Sequence, residues 1–264
     1  VFGGNDEGGS INGSITVNAY EDGCQPLIIG ELYGGGYQAP YSVYGCTLSE
    51  GTWTANESGD LKFDEDEEER AAVEVNVFSC TSIGKVFGGG YQAPVIGNTH
   101  VWINTMKGVV DRTMQLSIGK IGQVFGGGNA ATVKGNTTID IGTATSTEDI
   151  GVNITSGTYT SSSVGTYLSP IADEYIPITA GVYGGGYSAD VEGNTTLNIG
   201  TVEQTLGVTI EGDIFGGGYG ESTTVTGDVT VNIGKRTNVA DEGEPASYTY
   251  AGYATITGDV YGGS

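Results

Sequence analysis

Apolar and polar residues alternate in short bursts along this chain, and the bursts recur. In 135–141 (GNTTIDI), Thr137, Ile139 and Ile141 share one side while Thr138 and Asp140 share the other. In 229–233, Val229, Val231 and Ile233 face one way and Thr230 and Asn232 the other. A period of two with one apolar side is the pattern of a strand that is half buried. A second alternating run leads towards the next glycines: 208–215 (VTIEGDIF), 114–119 (MQLSIG) and 73–78 (VEVNVF). Glycine corners separate these runs, and nothing in the chain carries the long runs of Ala, Leu, Glu and Lys that helices need.

The bursts belong to a repeat. VFGGGNAATVKGNTTIDIG begins at Val124, and related stretches begin at Val86 (VFGGGYQAPVIGNTHVWI), Val182 (VYGGGYSADVEGNTTLNIG) and Ile214 (IFGGGYGESTTVTGDVTVNIG). Looser copies begin at Val1 and Leu32, and a partial one at Val260. The aromatics before the glycines, Phe2, Tyr33, Phe87, Phe125, Tyr183, Phe215 and Tyr261, are spaced 31, 54, 38, 58, 32 and 46 residues apart. The short spacings read as the bare unit and the long ones as the unit with insertions. One unit has no partner for its apolar side, but stacked units bury Val and Ile on their equivalents above and below. The expected fold is therefore all-β: a single repetitive β-solenoid segment, a parallel β-helix over 1–264, with lateral insertions near 47–72, 143–180 and 235–253. A sandwich or propeller is the alternative; a propeller blade has an even length, which spacings of 31–58 fit poorly.

Within this frame the conserved-looking columns acquire structural roles. Gly88, Gly89 and Gly90, with Gly126, Gly127 and Gly128, Gly184, Gly185 and Gly186, and Gly216, Gly217 and Gly218, mark a corner. Either positive φ or close approach of neighbouring coils would require glycine there. The aromatic before each triplet would fill the corner. Tyr37, Tyr91, Tyr187 and Tyr219, after it, would form a surface ladder. Asn98, Asn136 and Asn194 follow glycine at the next corner, where Asn tolerates left-handed geometry and would bond along the stack.

The insertions differ in chemistry. Residues 57–70 (ESGDLKFDEDEEER) hold eight acids against Lys62 and Arg70. Unneutralised charge of that density favours a solvated loop. The other reading is a site for calcium or a basic partner, with Asp64, Asp66 and Glu68 as ligands, although the run does not match an EF-hand loop. Residues 155–178, rich in Ser, Thr and Tyr, suggest a surface loop or side hairpin, and 235–253 another lateral loop. Loops on a rigid scaffold are where recognition usually sits.

Composition narrows the partners. Glycine makes up 48 of 264 residues without a collagen period. The net charge of −23, with 9 Lys and Arg, argues against nucleic acid and anionic lipid. No segment reaches the roughly 18 apolar residues of a membrane span. The chain opens within one VFGG copy and closes within another, so it reads as part of a longer repetitive protein. Cys24 and Cys80 hold similar places in successive copies. Cys24, Cys46 and Cys80 are compatible with one disulfide and a free thiol, or with three small buried side chains. No zinc or iron–sulfur spacing is present.

No catalytic constellation stands out. His100 is the single histidine and falls, with Trp102, on the outer side of its strand. An outward Trp102 would stack on a sugar or bury a partner's apolar surface, unless the loop at 107–115 covers it. Asp140, Asp190, Glu192, Glu211 and Asp213 are the carboxylates that would have to line one face for a glycosidase pair. GGNDEGG at 3–9 departs from the calcium-binding nonapeptide in order and period. The glycine triplets lack the Lys-Ser/Thr of a phosphate loop. No cofactor is expected, calcium being the one ligand left open.

The VFGGGN…GNT.V.IG pattern resembles the glycine-rich repeats of large secreted or surface proteins of Bacteroidetes-type gut bacteria. More loosely, it is similar to adhesin and autotransporter passenger β-helices. The resemblance covers the repeat cores, about half of the chain, and carries no catalytic residue. It implies export, display outside the cell or on its surface, and an adhesive or scaffolding role. The expected partners are adjacent repeats of the same protein and glycans or proteins of a host or microbe. Two functions compete: a non-catalytic structural or adhesive rod that presents loops and an aromatic, acidic outer face, and a carbohydrate-binding or polysaccharide-degrading β-helix.

Overall fold

The computed structural model describes residues 1–11, 13–21, 25–42, 46–49, 52–55, 72–104, 118–143, 175–201, 207–239 and 246–263. Among them there is no helix, and two sheets of parallel strands run the length of the molecule in sequence order. The fold is a parallel β-solenoid, as the alternation and the repeat require.

The first sheet stacks Ile15–Ala19, Val73–Val77, Thr99–Ile103, Thr137–Ile141, Thr195–Ile199 and Val229–Ile233, each in full register with the next. The register puts like on like. One inward row reads Val17, Val75, Val101, Ile139, Leu197, Val231, and another Ala19, Val77, Ile103, Ile141, Ile199, Ile233. A slip of one residue would turn the buried members of these rows outward, so the period of two fixes the pairing.

The second sheet stacks Ile28–Tyr33, Ser82–Phe87 and Ile121–Phe125. It continues as broken strands, Tyr175–Ile178 with Val182–Tyr183, Gly207–Ile210 with Ile214–Phe215, and Ala254–Ile256 with Val260–Tyr261. Its inward rows are Ile29, Ile83, Ile121, Ile178, Ile210, Ile256 and Leu32, Val86, Val124, Val182, Ile214, Val260. Except at Val260 and Ile233, exposed in the last coil, these rows meet those of the first sheet in one continuous apolar core. Each fully buried Val or Ile contributes on the order of 1.5–3 kcal/mol. A short third face closes each coil, with Tyr41–Ser42 paired to Val95–Ile96 and then single bridges from Val95 through Val133 and Val191 to Val225.

Three details differ from the sequence expectation. Residues 73–78 do not lead into glycines. Val73–Val77 lies in the first sheet between Ile15–Ala19 and Thr99–Ile103, and Ser82–Phe87 supplies the strand before that triplet. Both sheets alternate with period two, so alternation alone does not tell them apart. The second insertion ends sooner than 180, because Tyr175–Ile178 returns to the second sheet beside Ile121 and Gly207–Ile210. Within 235–253, Lys235–Asn238 pairs antiparallel with Tyr248–Ala251, and Cys46–Ser49 pairs likewise with Thr52–Ala55.

The glycine triplets are explained by close approach. None of them has positive φ. A Cβ on Gly88 would lie 2.3 Å from the carbonyl oxygen of Gly126, and one on Gly126 would lie 2.3 Å from that of Gly184. The obstacle is backbone of the next coil, which no side-chain rotation relieves. Left-handed glycine appears instead at the exit of the first sheet, at Gly142, Gly200 and Gly234 (φ 64°, 60° and 76°).

Candidate functional site: the aromatic corner

The residue before each glycine triplet sits at the same height in each coil, so seven aromatic rings form one column. Phe2, Tyr33, Phe87, Phe125, Tyr183, Phe215 and Tyr261 stack with centroid spacings of 4.6–5.4 Å and interplanar angles of 2–10°. The spacing follows from the separation of neighbouring strands, about 4.7–4.9 Å. Tyr33, Phe87 and Phe125 are fully buried, and Tyr183 nearly so.

Four residues further on, a second and more exposed column runs alongside. Tyr37 stacks on Tyr91 (5.1 Å, 7°) and Tyr187 on Tyr219 (5.0 Å, 14°). These rings meet the inner column edge to face, as in Tyr33–Tyr91 and Phe125–Tyr187, both at 5.8 Å. That arrangement sets ring hydrogens against the negative π face of the neighbour. The expected tyrosine ladder therefore exists, in two pairs. Asn129 stands between them, its backbone bridged to Tyr187 and its N–H bonded to the Gly90 carbonyl.

A polar network lies beside the break. The Asn129 side-chain amide donates to the Tyr33 hydroxyl (3.0 Å), which donates to Glu31 Oε2 (2.7 Å). Lys85 Nζ lies 3.1 Å from Glu31 Oε1 and 5.2 Å from the centre of the Tyr187 ring. Glu31, Lys85 and Gln123 are consecutive positions of one outward row of the second sheet. The Tyr33 hydroxyl bond, followed by Lys85, holds the Glu31 carboxyl below its ordinary range. Burial, and then the Glu31 charge, push the Tyr33 phenol well above its own. Burial also raises Tyr183.

Trp102 does not join this face. It lies in the first sheet, is 8% exposed, and packs edge to face on Phe78 at 5.5 Å. The outward position expected from alternation is right for its strand, but the side chain is covered and its indole serves packing. Its neighbour His100 is half-buried, with Nε2 2.7 Å from Asp140 Oδ2, and Asp140 also accepts from Asn198 Nδ2 at 2.8 Å.

The carboxylates do not converge. Asp140 is on the first sheet, Asp190 and Glu192 flank Val191 on the third face, and Glu211 and Asp213 flank the turn before Ile214–Phe215. Two of them cap backbone: Asp190 Oδ1 accepts from Thr224 N, and Asp213 Oδ1 from Asp259 N. No group of three or more metal-ligating side chains occurs among the described residues. Asp64, Asp66 and Glu68 lie outside the described residues, as does the loop at 107–115.

The corner asparagines bond along the stack. Asn98 Oδ1 accepts from Asn136 N, Asn136 Oδ1 from Asn194 N, and Asn194 Oδ1 from Asp228 N, at 2.7–2.8 Å. Cys80 is a buried free thiol whose pKa burial pushes up to about 11; Cys24 and the Cys46 side chain lie outside the described residues. Glu31, Lys85 and Asn129 were missed as site residues. The signal for Asn129 was visible: the copy at Val124 reads FGGGN where the copies at Leu32, Val86, Val182 and Ile214 read GGGY. No protein-family model, no curated protein and no solved structure matches the chain.

Proposed function

We propose that this chain is a non-catalytic structural and adhesive rod segment of an exported, surface-displayed protein. The observation that supports this reading most directly is the fate of its repeated polar and aromatic side chains. They bond or stack onto their equivalents in adjacent coils, as in the asparagine column and the seven-ring column. Such contacts stiffen the solenoid along its axis. The side hairpins and the outer tyrosine column are then the parts available to a partner.

The candidate carboxylates, spread over three faces, favour this reading over polysaccharide cleavage. Export and surface display are inferred from the glycine-rich repeat and the charge of −23 with few basic side chains. The test is incubation of the chain with pectin, xylan and mucin glycans, with and without calcium, followed by mass analysis of the soluble products and of retained ligand. Retention or indifference without products is expected. Shortened chains in the soluble fraction would overturn the non-catalytic reading.

A further inference from the structure

The outer tyrosine column has a missing ring. The residue bonded through its N–H to the third position of the preceding corner is Tyr37, Tyr91, Asn129, Tyr187 and Tyr219 in successive coils. Tyr91 and Tyr187 are thus two coils apart, about 9.5–10 Å, with an asparagine in place of the ring between them. Both are partly exposed, and each is stacked from behind by another tyrosine, Tyr37 and Tyr219. Each is also fixed edge-on by the inner column. The two faces across the gap are therefore held by packing on both remaining sides.

We propose that this gap is a carbohydrate-binding slot that takes one pyranose ring between Tyr91 and Tyr187. The separation suits it: a ring placed midway lies about 5 Å from each tyrosine, the spacing of the stacked pairs themselves. The C–H groups on the two faces of a pyranose are polarised by its oxygens and are attracted to the negative π faces of both rings. Its rim hydroxyls need mixed donors and acceptors, which the adjoining row supplies as the Glu31 carboxylate, the Lys85 ammonium and the Gln123 amide. Asn129 forms the floor. Its side-chain nitrogen is committed to Tyr33, and its oxygen takes no hydrogen bond among the described residues.

The ammonium of Lys85 lies over the Tyr187 ring at 5.2 Å, where a tyrosine at position 129 would stack. A cation there satisfies the exposed π face in the absence of ligand. The same ammonium lies 3.1 Å from Glu31 and its side chain is 32% exposed, so a sugar that enters displaces it from the ring towards solvent. An aromatic face on either side with a charged and amide rim is the composition of a small-ligand site, not of a bare packing surface.

The test uses Asn129→Tyr, which completes the ladder with the residue that four other coils carry and so fills the slot without disturbing the fold. Methyl β-glucoside, methyl β-galactoside, methyl α-mannoside and N-acetylglucosamine are offered at millimolar concentration, with saturation transfer from the tyrosine rings as the readout. At least one is expected to receive saturation with the native chain, and N129Y is expected to lose about tenfold or more of that affinity while melting no lower than the native chain. Tyr187→Ala, which removes one wall and keeps Asn129, is expected to lose the transfer as well. Absence of transfer to all four sugars, or equal transfer with N129Y and the native chain, would overturn the slot. Sugar capture is one means by which the rod would adhere; cleavage of polysaccharide would refute the rod reading while leaving these outcomes unchanged.

Discussion

The hydroxyl of Thr137, in the first sheet, donates a 2.6 Å hydrogen bond to the carbonyl of Gly184 in the glycine corner of the next coil. Thr99 and Thr195 do the same to Gly126 and Gly216 at 2.7 Å. These threonines are buried, and their row ends in Ile15 and Val73 on one side and Val229 on the other. A polar side chain on the inward face is therefore selected by a buried carbonyl of the glycine corner, not by solvent. Thr137→Val keeps the shape and leaves the Gly184 oxygen without this donor. A loss of about 1 kcal/mol is expected, measured by denaturant unfolding; no change would mean that the bond contributes nothing net.

The two kinds of glycine separate in the same assay. Gly126→Ala places a Cβ 2.3 Å from the Gly184 carbonyl oxygen, and neither backbone has room to retreat inside a registered stack. The expected cost is about 3 kcal/mol or more, with loss of cooperative melting. Gly142→Ala meets a different problem, a left-handed φ of 64°, which costs about 1–2 kcal/mol. Equal destabilisation by the two substitutions would contradict the assignment of the triplets to close approach.

Alternation made the inward rows legible before any coordinates, because a strand with one buried face has a single register that keeps Val and Ile inside. Residues 137–141 and 229–233 were placed by that logic alone. The membership of 73–78 was not legible, since two sheets with the same period differ only in what stacks above them. Nor was the burial of Trp102, because its cover includes Phe78, a residue one strand away and outside the alternating pattern. The tyrosine column was visible as a repeat. Its break at Asn129 acquired meaning only when Lys85 and Glu31, far off in sequence, were found beside it.

The asparagine column makes a prediction about cooperativity between coils. Asn136 receives support from below, where its N–H donates to Asn98, and gives it above, where its side-chain oxygen accepts from Asn194. Asn136→Ala removes only the second bond and leaves the Asn194 N–H without that acceptor. A loss of about 1 kcal/mol is expected, and amide exchange should quicken at Asn194 more than at Asn136. Faster exchange at Asn136 alone would show that the column does not transmit support upward in this way.

The Tyr33–Glu31 pair gives the corner a pH dependence whose sign can be worked through. Glu31 has a folded pKa below its unfolded value, so its contribution is present above the unfolded pKa and is lost as pH falls through the folded one. Tyr33 is the opposite case. Its folded pKa is raised, so its contribution is intact below the ordinary phenol value of about 10 and is lost as pH rises above it. Tyr33→Phe removes the hydroxyl while keeping the ring in the stack with Phe2 and Phe87. The Glu31 carboxyl should then titrate at a higher pH in a carboxyl-detected NMR titration, because its strongest stabilising donor is gone. The part of the alkaline loss of stability due to this phenol should vanish as well. An unchanged Glu31 titration in Tyr33→Phe would place the cause of its low pKa on Lys85 instead of the phenol.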